Sequence, residues 1–197
     1  MKLFRNGLLL VIIMWALGTM SVQAMTPLRV AVLPLMNTAH YRCSEDIKII
    51  QDTIKQPFKY PYYSLLSPEI TAAASQAFLT DSKLAKLTDK TAMAEIADKL
   101  SADIVIVVEL SQASFWEFSG FWLEENYVES GIVLKCYAYS AVDKKYHVIK
   151  ATRFEVEPYT VNTTAAVFFK ELTDQILVDL PYKRIPTHNQ ELSTDVR

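Results

Sequence analysis

Glycine is almost missing from this chain. There are four in 197 residues, and two of them, Gly7 and Gly18, fall in a hydrophobic leader, leaving Gly120 and Gly131 for the rest. A dinucleotide fingerprint or a phosphate-cradling loop needs several glycines close together, so that backbone N–H groups can approach the phosphates. No window offers them, and no cofactor is expected. Histidine is limited to His40, His147 and His188, and cysteine to Cys43 and Cys136. The composition is far from disulfide-dense, collagen-like or disordered chains. Positive charge is not clustered either: the formal net charge is -2, and the longest basic runs outside the leader are the pairs Lys144-Lys145 and Lys183-Arg184. Nucleic-acid binding needs concentrated positive charge to neutralise phosphates, so no such partner is expected. Beyond the leader no run is apolar enough to span a bilayer.

What is present begins with that leader. Lys2 and Arg5 precede the unbroken apolar run Leu8–Leu17, and the following segment ends in Val22-Gln23-Ala24, a small-residue cleavage pattern. Residues 1–24 therefore read as a secretory signal cut after Ala24. The run is short for a span of about 20 residues, although retention as a membrane anchor stays open. The expected product is a periplasmic or secreted protein. Its residues 25–181 form one domain, and 182–197 form a loose polar tail.

Within the domain, Leu28–Leu35 reads as a buried strand stopped by Pro34. Ser44 is a candidate helix cap, followed by Ile47, Ile50 and Ile54 at helical spacing. Pro57 and Pro61 end that helix, and Tyr62–Leu66 is a second strand. Ser67-Pro68-Glu69 is a helix start, and Met93, Ile96, Ala97 and Leu100 mark a third helix. Ile104–Leu110 is a continuous apolar strand of the kind covered on both faces. Gly131–Ala141 and Tyr146–Glu157 form a hairpin about a turn at Asp143-Lys144-Lys145. Thr163–Leu180 is a last amphipathic helix with Phe169, Leu172, Ile176 and Leu180 on one face. The expected fold is a single mixed α/β domain of order β-α-β-α-α-β-β-β-α, a mixed sheet flanked by helices.

Two of these runs carry a resemblance. Val30-Ala31-Val32-Leu33-Pro34-Leu35-Met36-Asn37, and later Leu100-Ser101-Ala102-Asp103 leading into Ile104–Leu110, resemble the opening strand and the helix–turn–strand of a group of exported bacterial α/β domains. That group includes the curli-secretion lipoprotein CsgG, the LpoB-like activators of penicillin-binding proteins and the amino-terminal domain of TolB. The likeness extends in element order over roughly Leu28 to Glu157. It implies an envelope-assembly role through binding another envelope protein, with no catalytic residues. The chain departs from the group at Ser101, where glycine is usual, and in lacking a lipid-accepting cysteine at the cleavage point.

Candidate chemistry is thin. His40 and Cys43 have an H-x-x-C spacing that supplies two metal ligands, but nothing marks a third or fourth, so no metal is assigned. His147 reads as a cross-strand surface residue and His188 lies in the tail, so no catalytic set is assigned. Cys43 and Cys136 are a candidate disulfide in an exported chain; the other reading makes Cys136 a small buried hydrophobe and Cys43 a free thiol. The sequence Asn162-Thr163-Thr164 fits a glycosylation acceptor or, more simply, a helix cap. The unusual segment is Ser114–Tyr127, with Phe115, Trp116, Phe118, Phe121, Trp122 and Tyr127. With Gly120 as a turn it reads as an aromatic-tipped connection. Its five Phe and Trp residues, Phe115, Trp116, Phe118, Phe121 and Trp122, are a candidate partner-binding surface, some of them filling the core instead. The expectation is thus a non-enzymatic envelope accessory protein that binds another envelope protein or self-associates. The alternative is a small exported hydrolase or metal-dependent enzyme using His40 or Cys43.

Overall fold

The computed structural model describes residues 26–81, 86–120 and 125–182. The leader, Phe121, Trp122, His188 and the tail beyond Tyr182 lie outside them. Strand β1 (Leu28–Val32) is followed by a two-residue strand β2 (Met36–Asn37), helix α1 (Ser44–Lys55) and strand β3 (Tyr63–Leu65). Helices α2 (Pro68–Asp81) and α3 (Lys90–Leu100) come next. Strands β4 (Ile104–Ser119), β5 (Asn126–Ser140) and β6 (Lys145–Pro158) and helix α4 (Ala165–Asp179) complete the order. The mixed α/β fold is the one expected. Boundaries differ: β1 ends at Val32 and the short β2 follows it, β4 runs on through the aromatic segment to Ser119, and β5 begins at Asn126 and not at Gly131.

The sheet has the order β3-β1-β4-β5-β6, with β2 paired to β4. Strands β1, β3 and the start of β4 are parallel, whereas β4, β5 and β6 are an antiparallel meander. Helices α1 and α4 cover one face, where Ile50, Ile54, Phe168, Phe169, Leu172 and Ile176 meet Val30, Ile106, Leu110, Leu134 and Cys136. Helices α2 and α3 cover the other face with Phe78, Met93, Ile96 and Ala97 on Ala31, Val105, Val107 and Tyr139. Both faces are dry over Ile104–Val108, which is why that run is apolar without alternation. Each fully buried aliphatic or aromatic side chain contributes roughly 1.5–3 kcal/mol.

Polar residues in and beside the two family-like runs tie β1 to β4 within the sheet and close the loop after β2. The Asp103 carboxylate accepts the Arg29 N–H at 2.7 Å, and the Asp103 N–H donates to the Arg29 carbonyl at 2.8 Å. Ser101 ends α3 in the left-handed region (φ 47), where glycine would be unstrained. The Asn37 amide donates to the Tyr41 carbonyl at 2.7 Å and its oxygen accepts the Tyr41 N–H at 3.0 Å, closing the loop between them. Helix α1 is entered through Cys43 without a side-chain cap, so the cap expected of Ser44 is not made. The Ser67 hydroxyl accepts the Ile70 N–H at α2, and Thr164 caps α4. The hairpin turn sits at residues 141–144, and Lys145 already belongs to β6.

Candidate functional site

Helices α2 and α3 cover only the first third of β4. Beyond the irregularity between Leu110 and Gln112, the meander projects past them as a three-stranded arm. Strand alternation places Gln112, Ser114, Trp116 and Phe118 on one side of it. The register adds Gly131 and Phe154 beside Ser114, Glu129 and Val156 beside Trp116, and Tyr127 and Pro158 beside Phe118. This side carries no helix among the described residues. Trp116 is 68% exposed, Phe154 61% and Val156 57%. Phe118 stacks on Tyr127 at 5.8 Å between centroids. A groove of about 240 Å³ crosses the middle, lined by Gln112, Ser114, Glu129, Gly131, Phe154 and Val156.

Gly131 makes that groove possible, and by space alone. A Cβ there would lie 2.6 Å from the Ser114 hydroxyl and 3.6 Å from the Phe154 ring; Ser114 meanwhile donates to the Gly131 carbonyl at 3.2 Å. Its φ is not positive, so close approach is the reason for glycine. Gly120 closes the β4–β5 connection by donating its N–H to the Glu125 carbonyl at 2.8 Å.

The opposite side of the arm is core. Phe115 packs edge-on against Phe169 at 5.9 Å and tilted against Tyr41 at 5.8 Å. Tyr41 is pinned by its hydroxyl donating to Asp46 at 2.6 Å, and burial together with that bond raises its pKa. Arg153 lies 4.1 Å above the Phe168 ring and is ringed by Glu155, Glu157 and Glu171 at 2.9, 2.6 and 3.6 Å. The five expected surface aromatics therefore divide. Trp116 and Phe118 are on the helix-free side and Phe115 is inside; Phe121 and Trp122 lie outside the described residues. The segment Ser114–Ser119 is strand and not the expected connection. Phe154 and Val156 share the face but were missed as site residues, because in the alternating run Phe154-Glu155-Val156-Glu157 the apolar positions read as the buried ones. Here the helix side of the strand carries Arg153, half-buried on the Phe168 ring, with Glu157 half-buried and Glu155 exposed beside it, since a guanidinium can lay its stem and face on an aromatic ring while carboxylates neutralise it.

Elsewhere the chemistry stays dispersed. Cys136 is completely buried and Cys43 exposed, both as free thiols, so the candidate disulfide is not made. Burial pushes the Cys136 thiol up to about 12. His40 sits in the loop after β2 at φ 56, and His147 lies on β6 against the Tyr182 ring at 5.8 Å. Among the described residues no group of three or more His, Cys, Asp or Glu could hold a metal. A smaller apolar crevice of about 160 Å³ opens at the carboxyl end of β1, between α1 and α2. Its described lining includes Val32, Leu35, Ile54 and Lys55, with no carboxylate, histidine or cysteine. No described helix is long and apolar enough to cross a membrane.

No family model matches the chain, and no curated protein does. Solved structures give fold-level likenesses. Lipoprotein GNA1162 from Neisseria meningitidis has a TM-score of 0.43 at 12% identity, covering 78% of this chain and 97% of that one. The LpoB C-terminal domain from Salmonella enterica has 0.39 at 13%, covering 71% and 90%. A putative neuraminyllactose-binding hemagglutinin homolog from Helicobacter pylori has 0.43 at 12%, covering 79% and 81%. The LpoB domain belongs to the group that the two sequence runs resemble. At these scores the likenesses carry no argument about binding.

Proposed function

We propose that this is an exported, non-enzymatic accessory protein of the cell envelope, which binds another envelope protein through the helix-free side of its arm. The carrying observation is the exposure of Trp116, Phe154 and Val156 on one flat, helix-free strand surface. Large apolar side chains grouped on a rigid sheet supply binding area at little entropic cost. Glu129 stands between Trp116 and Val156 in the register. The fitting partner surface is then aliphatic or aromatic with a basic residue opposite that carboxylate. The leader and the family-like strand pair support the compartment.

The test is site-directed photocrosslinking in the native cell. A photoreactive residue at Trp116 or Val156 is expected to yield one discrete adduct, and one at Lys170 on α4 none. Equal labelling from both sides, or none from the arm, would refute the surface.

A further inference from the structure

The arm also ends in an open edge. Strand β6 is the last in the sheet order, pairs with β5 without a bulge from Lys145 to Pro158, and pairs with no other described strand. Proteins ordinarily blunt such an edge by shortening it, bulging it, inserting proline or lining it with charge. The opposite edge is shortened, since β3 has three residues. Strand β6 is neither short nor bulged, its one proline is the last of 14 residues, and only its charges guard it. An edge of this length is a template for another strand.

Its charges are arranged to select that strand. The first half of β6 carries Lys145, His147 and Lys150, and the second half carries Glu155 and Glu157 with Arg153 between the chain's own carboxylates, at 2.9 and 2.6 Å from them. We propose that β6 pairs antiparallel with β6 of a second copy about a twofold axis at Ala151, making one sheet continuous through two chains. A twofold normal to the sheet keeps like faces together, so residues whose numbers are symmetric about 151 stand opposite. On the helix-covered side Lys145 faces Glu157, His147 faces Glu155, and Ile149 faces Arg153. On the other side Tyr146, whose hydroxyl donates to the Thr88 carbonyl at 2.6 Å, faces Val156, and Val148 faces Phe154. No like charges are opposed. Neighbouring registers are worse. An axis at Lys150 sets that lysine against itself and Arg153 against His147. An axis at Arg153 opposes two guanidinium groups. An axis at Thr152 sets Lys150 against Phe154 and loses the Lys145–Glu157 pair. Opposed charge and apolar pairs are the units that stabilise a sheet, and like charges weaken it.

The inference does not rest on the proposed function: it uses the edge of the arm, and Phe154 and Val156 enter it only through their cross-strand neighbours. In the dimer the arm end of each β6 lies beside the body end of the other.

The register gives a specific crosslinking test. In a Cys43→Ser background, Val148→Cys and Phe154→Cys are combined and treated with a short bismaleimide. Opposed Cβ atoms lie about 5 Å apart, whereas the two cysteines of one strand are roughly 20 Å apart, so only a second copy can be joined. The double variant is expected to become a covalent dimer, and each single variant to stay monomeric. Wild-type protein is expected to sediment as a dimer that Lys145→Glu weakens by opposing Glu157. A double variant that crosslinks no more than the singles overturns the proposal, as does monomeric sedimentation of the wild type. Equal crosslinking of Val148→Cys with Val156→Cys overturns the register. Tyr182 packs against His147. If dimers form only when the chain is cut after Tyr182, the tail occupies the edge and the proposal falls.

Discussion

Replacing Gly131 with alanine separates two explanations for a glycine inside a strand. If conformational freedom were needed, alanine would be harmful in every background. In the structure φ is not positive, and the obstacle is the Ser114 hydroxyl, 2.6 Å from the added Cβ. To admit the methyl group, Ser114 has to rotate and release its bond to the Gly131 carbonyl. A hydrogen bond of that kind contributes about 0.5–1.5 kcal/mol. Alanine at a compatible position gains about 0.4–1 kcal/mol over glycine, chiefly by narrowing the unfolded ensemble. The two nearly cancel, so Gly131→Ala alone is expected to be neutral to mildly destabilising. With Ser114→Ala the oxygen is gone, and the one remaining close neighbour is Gln112 Nε2 at 3.3 Å, the end of a flexible side chain that can give. The same substitution should then stabilise by about 0.4–1 kcal/mol, leaving a coupling of about 1 kcal/mol between the sites. Urea unfolding of the four proteins reads this directly, and the thermal midpoint should differ by about 3 °C per kcal/mol for a domain of this size. Additive effects within error, or a loss in both backgrounds, would refute the steric account.

Two other outcomes follow from local chemistry. Cys43 should react with a thiol reagent in the native protein, and Cys136 only after unfolding. Because the fold holds the Cys136 thiol at about 12 against 9.0 for a free one, its stabilising contribution is complete below pH 9. It is lost as the pH rises toward 12, because the unfolded chain releases the proton first. Cys136→Ala should flatten the alkaline fall in urea midpoint between pH 8 and 10.5; an unchanged slope would place the titration elsewhere. Ser101→Gly relieves a left-handed residue worth about 1–2 kcal/mol against an unfolded-state cost of about 0.4–1 kcal/mol. A rise in stability of about 0.5–1 kcal/mol is expected by the same assay, and a fall would mean that Ser101 contributes a contact of its own.

Much of the fold was legible because its cues are local. The apolar run Ile104–Leu110, the Ser67-Pro68-Glu69 helix start, and Phe169, Leu172 and Ile176 at helical spacing each state their own environment. The arm was harder. Gly120, read as a turn, made the second half of β4 look like a connection, and with Phe115 packed inward while Trp116 and Phe118 are exposed, the hydrophobic residues there do not alternate. The half-burial of Arg153 had no local cue either. Its burial depends on Phe168, Glu155, Glu157 and Glu171, and two of those belong to α4. Trp116 was marked by its rarity, while Phe154 needed the register of β5 to join it.

The arm has no joint. Strand β4 is a single element from the dry centre of the sheet to Ser119, and β5 returns along nearly its whole length, with one irregularity near Leu110. A load applied at the far end is therefore borne along the strands, pulling many ladder hydrogen bonds in shear at once and not opening them one by one. Mechanically it is a cantilever rather than a hinged flap. A protein anchored at that end would be held at a fixed distance and angle from the body of the domain.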